Sequence, residues 1–252
     1  MTRASLPMYD WPEVRPQTDA FWTALRNDLT ARGIDAPAEL DRATPRYDLW
    51  RAPDLVLSQT CGWPLVSKLS SHVDVVAIPT YAVDGCGNGT YRSALIAREP
   101  GDALALARSR VAVNSFDSLS GYWTFANTLA KGGLKAGHVG AWVETGSHRN
   151  SVIAVAQGRA DVAAIDAVSW QLALDHDAEA KTLTVIGWTD ELPALPFVTA
   201  KTSEVAMGTL RASMKKALSS SPQPYLTGLS AGSLTDYSVV APMGETARAA
   251  GF

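Results

Sequence analysis

Val111-Ala-Val-Asn-Ser-Phe-Asp-Ser-Leu-Ser-Gly121, running on into the apolar-rich stretch Tyr122 to Ala130, reads as a buried strand, a tight polar turn and the first turn of a helix. Two hydroxyls, Ser118 and Ser120, and the glycine Gly121 stand where the helix begins. A helix start leaves about four backbone N–H groups without partners and carries roughly half a positive charge. Small side chains there let an oxyanion approach those donors, and serine hydroxyls add donors of their own. Taken alone, the turn also reads as an ordinary serine N-cap, the commoner use of that residue.

A second turn of the same kind follows. Gly140-Ala-Trp-Val-Glu-Thr-Gly-Ser-His148 is a strand-like run ending in a Gly-Ser pair, after which Val152, Val155 and Ala156 recur at helical spacing and Gly158 stops the helix. Arg159-Ala-Asp-Val-Ala-Ala-Ile-Asp166 is then a short apolar strand closing on an acid. Three successive strand ends therefore carry Ser118 and Ser120, Ser147 and His148, and Asp166. In open α/β sheets, ligands collect outside the carboxyl ends of the strands. Asp166 reads equally as the cap of a helix from Ala167 and as a ligand contact.

The chain of 252 residues is long enough for a sizeable core, in one large domain or two small ones. Hydrophobic residues make up 46% and charged residues 19%, a globular balance that excludes a disordered chain. A net charge of −3, with no Lys/Arg run longer than Lys215-Lys216, disfavours binding driven by phosphate neutralisation, so no nucleic-acid partner is expected. No apolar stretch approaches the roughly 18 residues of a membrane span. The N-terminus, Met1 to Asp10, shows no apolar leader core and no cleavage site. The sequence as it stands is thus expected in the cytoplasm, and in the periplasm if a leader has been removed. His72, His138 and His176 read as solvated loop or helix-end residues.

Strand and helix patterns alternate along the chain, which points to an α/β protein with mixed, mostly parallel sheets flanked by helices. Expected strands are Ala4 to Met8, Asp54 to Ser58, Val73 to Pro79, Tyr91 to Arg98, Leu183 to Trp188 and Phe197 to Ala200. Expected helices include Thr18 to Arg32, with Phe21, Leu25 and Leu29 on one face, and Thr202 to Leu218. Glu99-Pro-Gly-Asp102 and Thr189-Asp-Glu-Leu-Pro-Ala-Leu-Pro196 break the pattern and read as crossings between two lobes. Residues 1–99 plus 192–252 would form the first lobe and 100–191 the second, with a ligand cleft between them.

At this point the residues resemble a known family, the phosphate/phosphite/phosphonate substrate-binding proteins of ABC transporters, which have the type II periplasmic-binding fold. The resemblance covers nearly the whole chain, to about Gly208. It rests on Asp54-Leu-Val-Leu-Ser-Gln-Thr-Cys-Gly-Trp-Pro-Leu65, Thr90-Tyr-Arg-Ser-Ala-Leu-Ile96, Asp117-Ser-Leu-Ser-Gly121, and Thr145-Gly-Ser-His148 before Ala154-Val-Ala-Gln-Gly-Arg-Ala-Asp-Val-Ala163. It implies a two-lobed monomer that captures a small phosphorus oxyanion without chemistry or cofactor, and an ABC-transporter permease as partner. Ser118, Ser120 and the N–H groups from Gly121 onward would hold the anion, with Ser147 and His148 at the neighbouring helix start. Tyr91 and the loop Ser58-Gln59-Thr60 would close over it from the other lobe. Tyr9, after the first strand, reads equally as a cleft wall and as packing.

The sequence also departs from the family. Members that bind aminoalkyl phosphonates hold the amino group with carboxylates where Val168 and Leu195 stand here, and an aromatic ring of the loop is replaced by Ser58. Asp166 lies two positions from the first of these places and is a candidate substitute. Cys61 and Cys86 belong to no metal-type cluster. They read either as independent thiols or as a disulfide pinning two loops. The alternative function is a cytosolic enzyme of cofactor-precursor biosynthesis, or a ligand sensor, on the same fold. Ser147 and His148 are adjacent and point apart, so they make no nucleophile–base pair.

Overall fold

The computed structural model describes residues 2–252. The described residues divide into two compact units, 2–82 with Pro193–Tyr237, and Val83–Leu192 with Ser238–Phe252. The first is a five-stranded sheet in the spatial order Arg3–Ser5, Leu55–Gln59, Phe197–Ala200, Val73–Tyr81, Leu226–Ala231. Arg3–Ser5 runs parallel to Leu55–Gln59, whereas Phe197–Ala200 and Leu226–Ala231 pair antiparallel with their neighbours. The helices Arg15–Ala31 and Met207–Ser220 pack on each other beside it. Phe21, Leu25 and Leu29 are fully buried at helical spacing, each worth about 1.5–3 kcal/mol of removed apolar surface. Between these helices the buried Asp28 accepts from Ser213 Oγ at 2.7 Å and binds Lys216 Nζ at 2.5 Å and Arg32 Nε at 2.8 Å. Those donors hold its carboxyl well below the usual range.

The second unit carries a sheet in the order Thr184–Trp188, Ser93–Ala97, Val162–Asp166, Arg110–Val113, Ala141–Glu144. Ser93–Ala97 and Val162–Asp166 are buried along their whole length and consist of small and branched residues. Strands covered on both faces read as continuous apolar runs in this way. Arg110–Val113 runs parallel to both of its neighbours, Ala141–Glu144 and Val162–Asp166. Three parallel strands side by side bring their carboxyl ends to one edge, which is what places the site.

The α/β class with mixed sheets is as expected from the sequence. The expected predominance of parallel pairing is not found: in the two five-stranded sheets parallel pairs are confined to those three strands and the first-unit edge, and the other pairs run antiparallel because strands distant in sequence are inserted between them. The boundaries of the units depart from the expected lobes in two places. Residues 83–99 belong to the second unit, because Ser93–Ala97 is zipped antiparallel between Thr184–Trp188 and Val162–Asp166. Residues 238–252 also belong there. The C-terminal helix Val240–Ala249 packs on Thr124–Lys131, and Ala136 N–H donates to Ala250 C=O at 3.0 Å. No helix among the described residues is long and apolar enough to cross a membrane.

Candidate functional site

Strand Arg110–Val113 delivers the chain to Asn114 and then to the turn. Ser118 leaves the turn in an extended conformation, with its Oγ accepting from Gly121 N–H at 3.0 Å. Its carbonyl receives both Tyr122 N–H and Trp123 N–H, at 3.2 and 3.1 Å, so the first turn is wider than a regular α-helix. The regular helix, Thr124–Lys131, follows. The Ser118 and Ser120 hydroxyls are buried and lie 3.4 Å apart. Aromatic rings brace the loop: Phe116 meets Tyr122 edge-on at 5.1 Å and Trp142 at 6.1 Å.

Strand Ala141–Glu144 ends in Thr145, whose Oγ lies 3.0 Å from Val113 C=O and 2.7 Å from Ser151 Oγ, tying the two turns together. Gly146 follows at φ 86°, a backbone region in which a side chain is strained. Ser147 Oγ then caps the helix His148–Ala156 by accepting from Asn150 N–H at 3.1 Å. This capping sets His148 at the first helical position, with Nε2 2.8 Å from Ser120 Oγ. Burial lowers the His148 pKa to about 4, so the imidazole is neutral at pH 7.

Asp166 closes the third strand and is buried, with Oδ1 accepting from Val168 N–H at 2.9 Å and Ser169 N–H at 3.1 Å. Of its two readings, the structure shows the cap. Among the site residues expected from sequence, Ser118, Ser120, Gly121, Ser147 and His148 come together, joined by hydrogen bonds or contact across two helix starts. A Cβ on Gly121 would meet Asn114 Oδ1 at 1.9 Å and His148 Cε1 at 3.3 Å, so this position accepts no side chain without displacement. Asn114 is the residue that the sequence reading passed over. Its only signal was a polar side chain ending an apolar strand.

The other expected residues belong to other elements. Tyr91 belongs to the second unit, not to the lobe first assigned, because its short strand Thr90–Tyr91 pairs with Cys86–Gly87 ahead of Ser93–Ala97. In the first unit, Ser58, Gln59 and Thr60 are all buried and take part in internal bonds. Ser58 Oγ accepts from Trp50 Nε1 at 3.2 Å. Gln59 Nε2 donates to Leu195 C=O at 3.0 Å and to Tyr81 OH at 3.1 Å. Tyr9, at φ 65°, meets Tyr81 edge-on at 5.4 Å, so Tyr9, Gln59 and Tyr81 form one polar and aromatic corner. Cys61 and Cys86 are both free thiols, in different units, and the disulfide weighed from sequence is not formed. Burial, reinforced by the Asp166 charge, pushes the Cys86 thiol up to about 12. Among the described residues, no cluster of His, Cys, Asp or Glu has the makings of a metal site.

The sequence matches a family model described as the phosphonate ABC transporter, periplasmic substrate-binding protein, over residues 54–223. Solved structures resemble the fold along nearly its whole length. PhnD1 from Prochlorococcus marinus, in complex with methylphosphonate, has a TM-score of 0.73 at 16% identity, covering 98% of each chain. A binding-protein component of an ABC phosphonate transporter from Pseudomonas aeruginosa has a TM-score of 0.71 at 16% identity, covering 99% of this chain and 87% of its own. A Xanthomonas citri protein bound to chloride has a TM-score of 0.71 at 12% identity, covering 99% and 98%. A comparison with the curated proteins yields no match.

Proposed function

Because this chain belongs to the periplasmic substrate-binding proteins of phosphonate ABC transporters, we propose that it captures a small phosphorus oxyanion (a phosphonate, phosphite or phosphate) and presents it to a transporter permease in the periplasm. The family binds its substrate and leaves it chemically unchanged. The observation that carries the reading is the junction of two helix starts at Ser118, Ser120 and His148, with Ser120 Oγ 2.8 Å from the imidazole. Hydroxyls and helix N–H groups are the donors that an anion needs when it leaves water, and bonds to a charged acceptor are about twice as strong as neutral ones.

The substituent on phosphorus is small and uncharged in this reading. Val168 and Leu195 are buried hydrocarbon at the two places where aminophosphonate binders resembling this chain carry carboxylates. The engagement of Asp166 Oδ1 in capping its own helix supports the same reading. Methylphosphonate, carried by the Prochlorococcus structure, phosphite and phosphate therefore rank ahead of aminoethylphosphonate.

A thermal-shift series against these four anions and sulfate tests the proposal. Ligand at about a hundred times its Kd adds about 2.7 kcal/mol, and each kcal/mol raises the Tm of a chain this long by about 2–4 °C. The Ser120→Ala/His148→Ala double variant should keep its fold and lose the shift. No shift with any phosphorus oxyanion, or an unchanged shift in the double variant, overturns it.

A further inference from the structure

The anion turn has already spent part of its donor set. Gly121 N–H donates to Ser118 Oγ at 3.0 Å, and Tyr122 and Trp123 N–H both donate to Ser118 C=O, at 3.2 and 3.1 Å. The contact of Ser120 Oγ with His148 Nε2, at 2.8 Å, uses a further proton. A phosphorus oxyanion brings several oxygens, each with more than one lone pair, and once out of water these need donors. A donor that the turn does not already use has to come from beside it.

Asn114 stands there. It is the first residue past the carboxyl end of Arg110–Val113, the middle one of the three parallel strands, and ligands of open α/β sheets collect at that edge. Its amide lies in the space that a Gly121 side chain would fill, since a Cβ there would sit 1.9 Å from Asn114 Oδ1 and 2.9 Å from Cγ. The two ends of the amide differ. Oδ1 is buried and has no hydrogen-bond partner. The nitrogen also has no partner among the described residues, but it is not buried, and the side chain as a whole is half-buried. Packing favours this orientation. An oxygen beside the Gly121 Cα–H makes a weak attractive contact, whereas the reversed amide would bury two N–H donors against carbon. The NH2 group thus reaches solvent next to Ser120 and Gly121 with both protons unspent.

We infer that Asn114 is a further ligand-contacting residue, whose side-chain NH2 donates to an oxygen of the phosphorus oxyanion held at Ser118 and Ser120. Gly121 is required here because any side chain would occupy the space of the amide. The inference rests on the oxyanion reading above.

Calorimetric titration of wild type, Asn114→Ala and Asn114→Asp with methylphosphonate and inorganic phosphate tests it. Asn114→Ala removes the donor and should weaken binding about tenfold. Asn114→Asp keeps the shape but sets a carboxylate against the anion, and should weaken it roughly a hundredfold. A second readout separates contact from support. The Asn114 side-chain 15NH2 signal, identified by its loss in Asn114→Ala, should move downfield on saturation with either ligand and gain a 15N–31P coupling across the hydrogen bond. Variants that bind within about twofold of wild type overturn the inference and leave the oxyanion reading intact. A weakened Asn114→Ala with an unmoved wild-type amide signal assigns the residue a supporting role and also overturns it. A wild-type protein that binds no phosphorus oxyanion removes both.

Discussion

At the scale of single residues, His148 couples the site to pH. Its ring is held near pKa 4 in the folded protein by burial, against about 6.5 in the unfolded chain. Between those values the unfolded chain binds more protons, so stability rises with pH across the window. It is complete above pH 6.5 and is lost progressively as pH falls toward 4. At pH 5 the loss attributable to this ring is about 2 kcal/mol. Urea unfolding of wild type and His148→Gln at pH 7 and pH 5 checks this: the variant should lose less on acidification, and an identical loss would refute the burial argument. A bound anion opposes the effect by favouring the charged ring. Ser118, Ser120 and His148 were legible in the sequence because hydroxyl and imidazole groups stand out at the ends of apolar runs. Asn114 was not, since an amide after a strand looks like any turn former. Only its close approach to Gly121 distinguishes it.

At the scale of elements, the site is made by three parallel strands whose carboxyl ends each open a helix. The strands were readable from their apolar runs, and the helix starts from Ser118, Ser147 and Asp166, because capping is local chemistry. What each cap also does was not readable. Asp166 had two readings, and the bonds to Val168 and Ser169 N–H identify it as a cap. Asp166→Ala should therefore cost about 1–2 kcal/mol of stability by urea unfolding, while Asp166→Asn keeps most of it. Both variants should leave oxyanion affinity within a few-fold of wild type. A collapse of affinity in the stable Asn variant would restore the ligand role. Ser58 and Gln59 were expected at the ligand from the family resemblance; their side chains bond to Trp50, Tyr81 and Leu195 C=O within the first unit. The partner Leu195 lies 136 residues away from Gln59, beyond the reach of any local pattern.

At the scale of the whole molecule, the chain leaves its first unit at Ala82 and returns at Pro193, then sends its last helix back to the second. The return at Pro193 falls within the proline-marked stretch Thr189 to Pro196. From sequence the outward crossing falls too late, at Glu99, because the pairing of Ser93–Ala97 with Val162–Asp166 is a long-range choice. Neither unit is stapled by a disulfide. Two thiols per chain should titrate in denaturant, Cys86 should alkylate slowly in the native protein because burial holds its thiol near 12, and reductant should leave the Tm unchanged. A Tm lowered by reductant would show a bond that the free thiols exclude.

The sequence by itself determined the α/β class, the family, the approximate strands and helices, and the serine and histidine turns at the strand ends. These follow from hydrophobic period, capping and glycine placement, all of which act within a few residues. The tertiary structure alone decided which strands run parallel, to which unit Tyr91 and the C-terminal helix belong, and which polar side chains are spent internally. It alone brought Asn114, Gly121 and His148 to one point. Those outcomes depend on hydrogen bonds and packing between segments distant in sequence, where the partner of a buried polar group is selected by the fold as a whole.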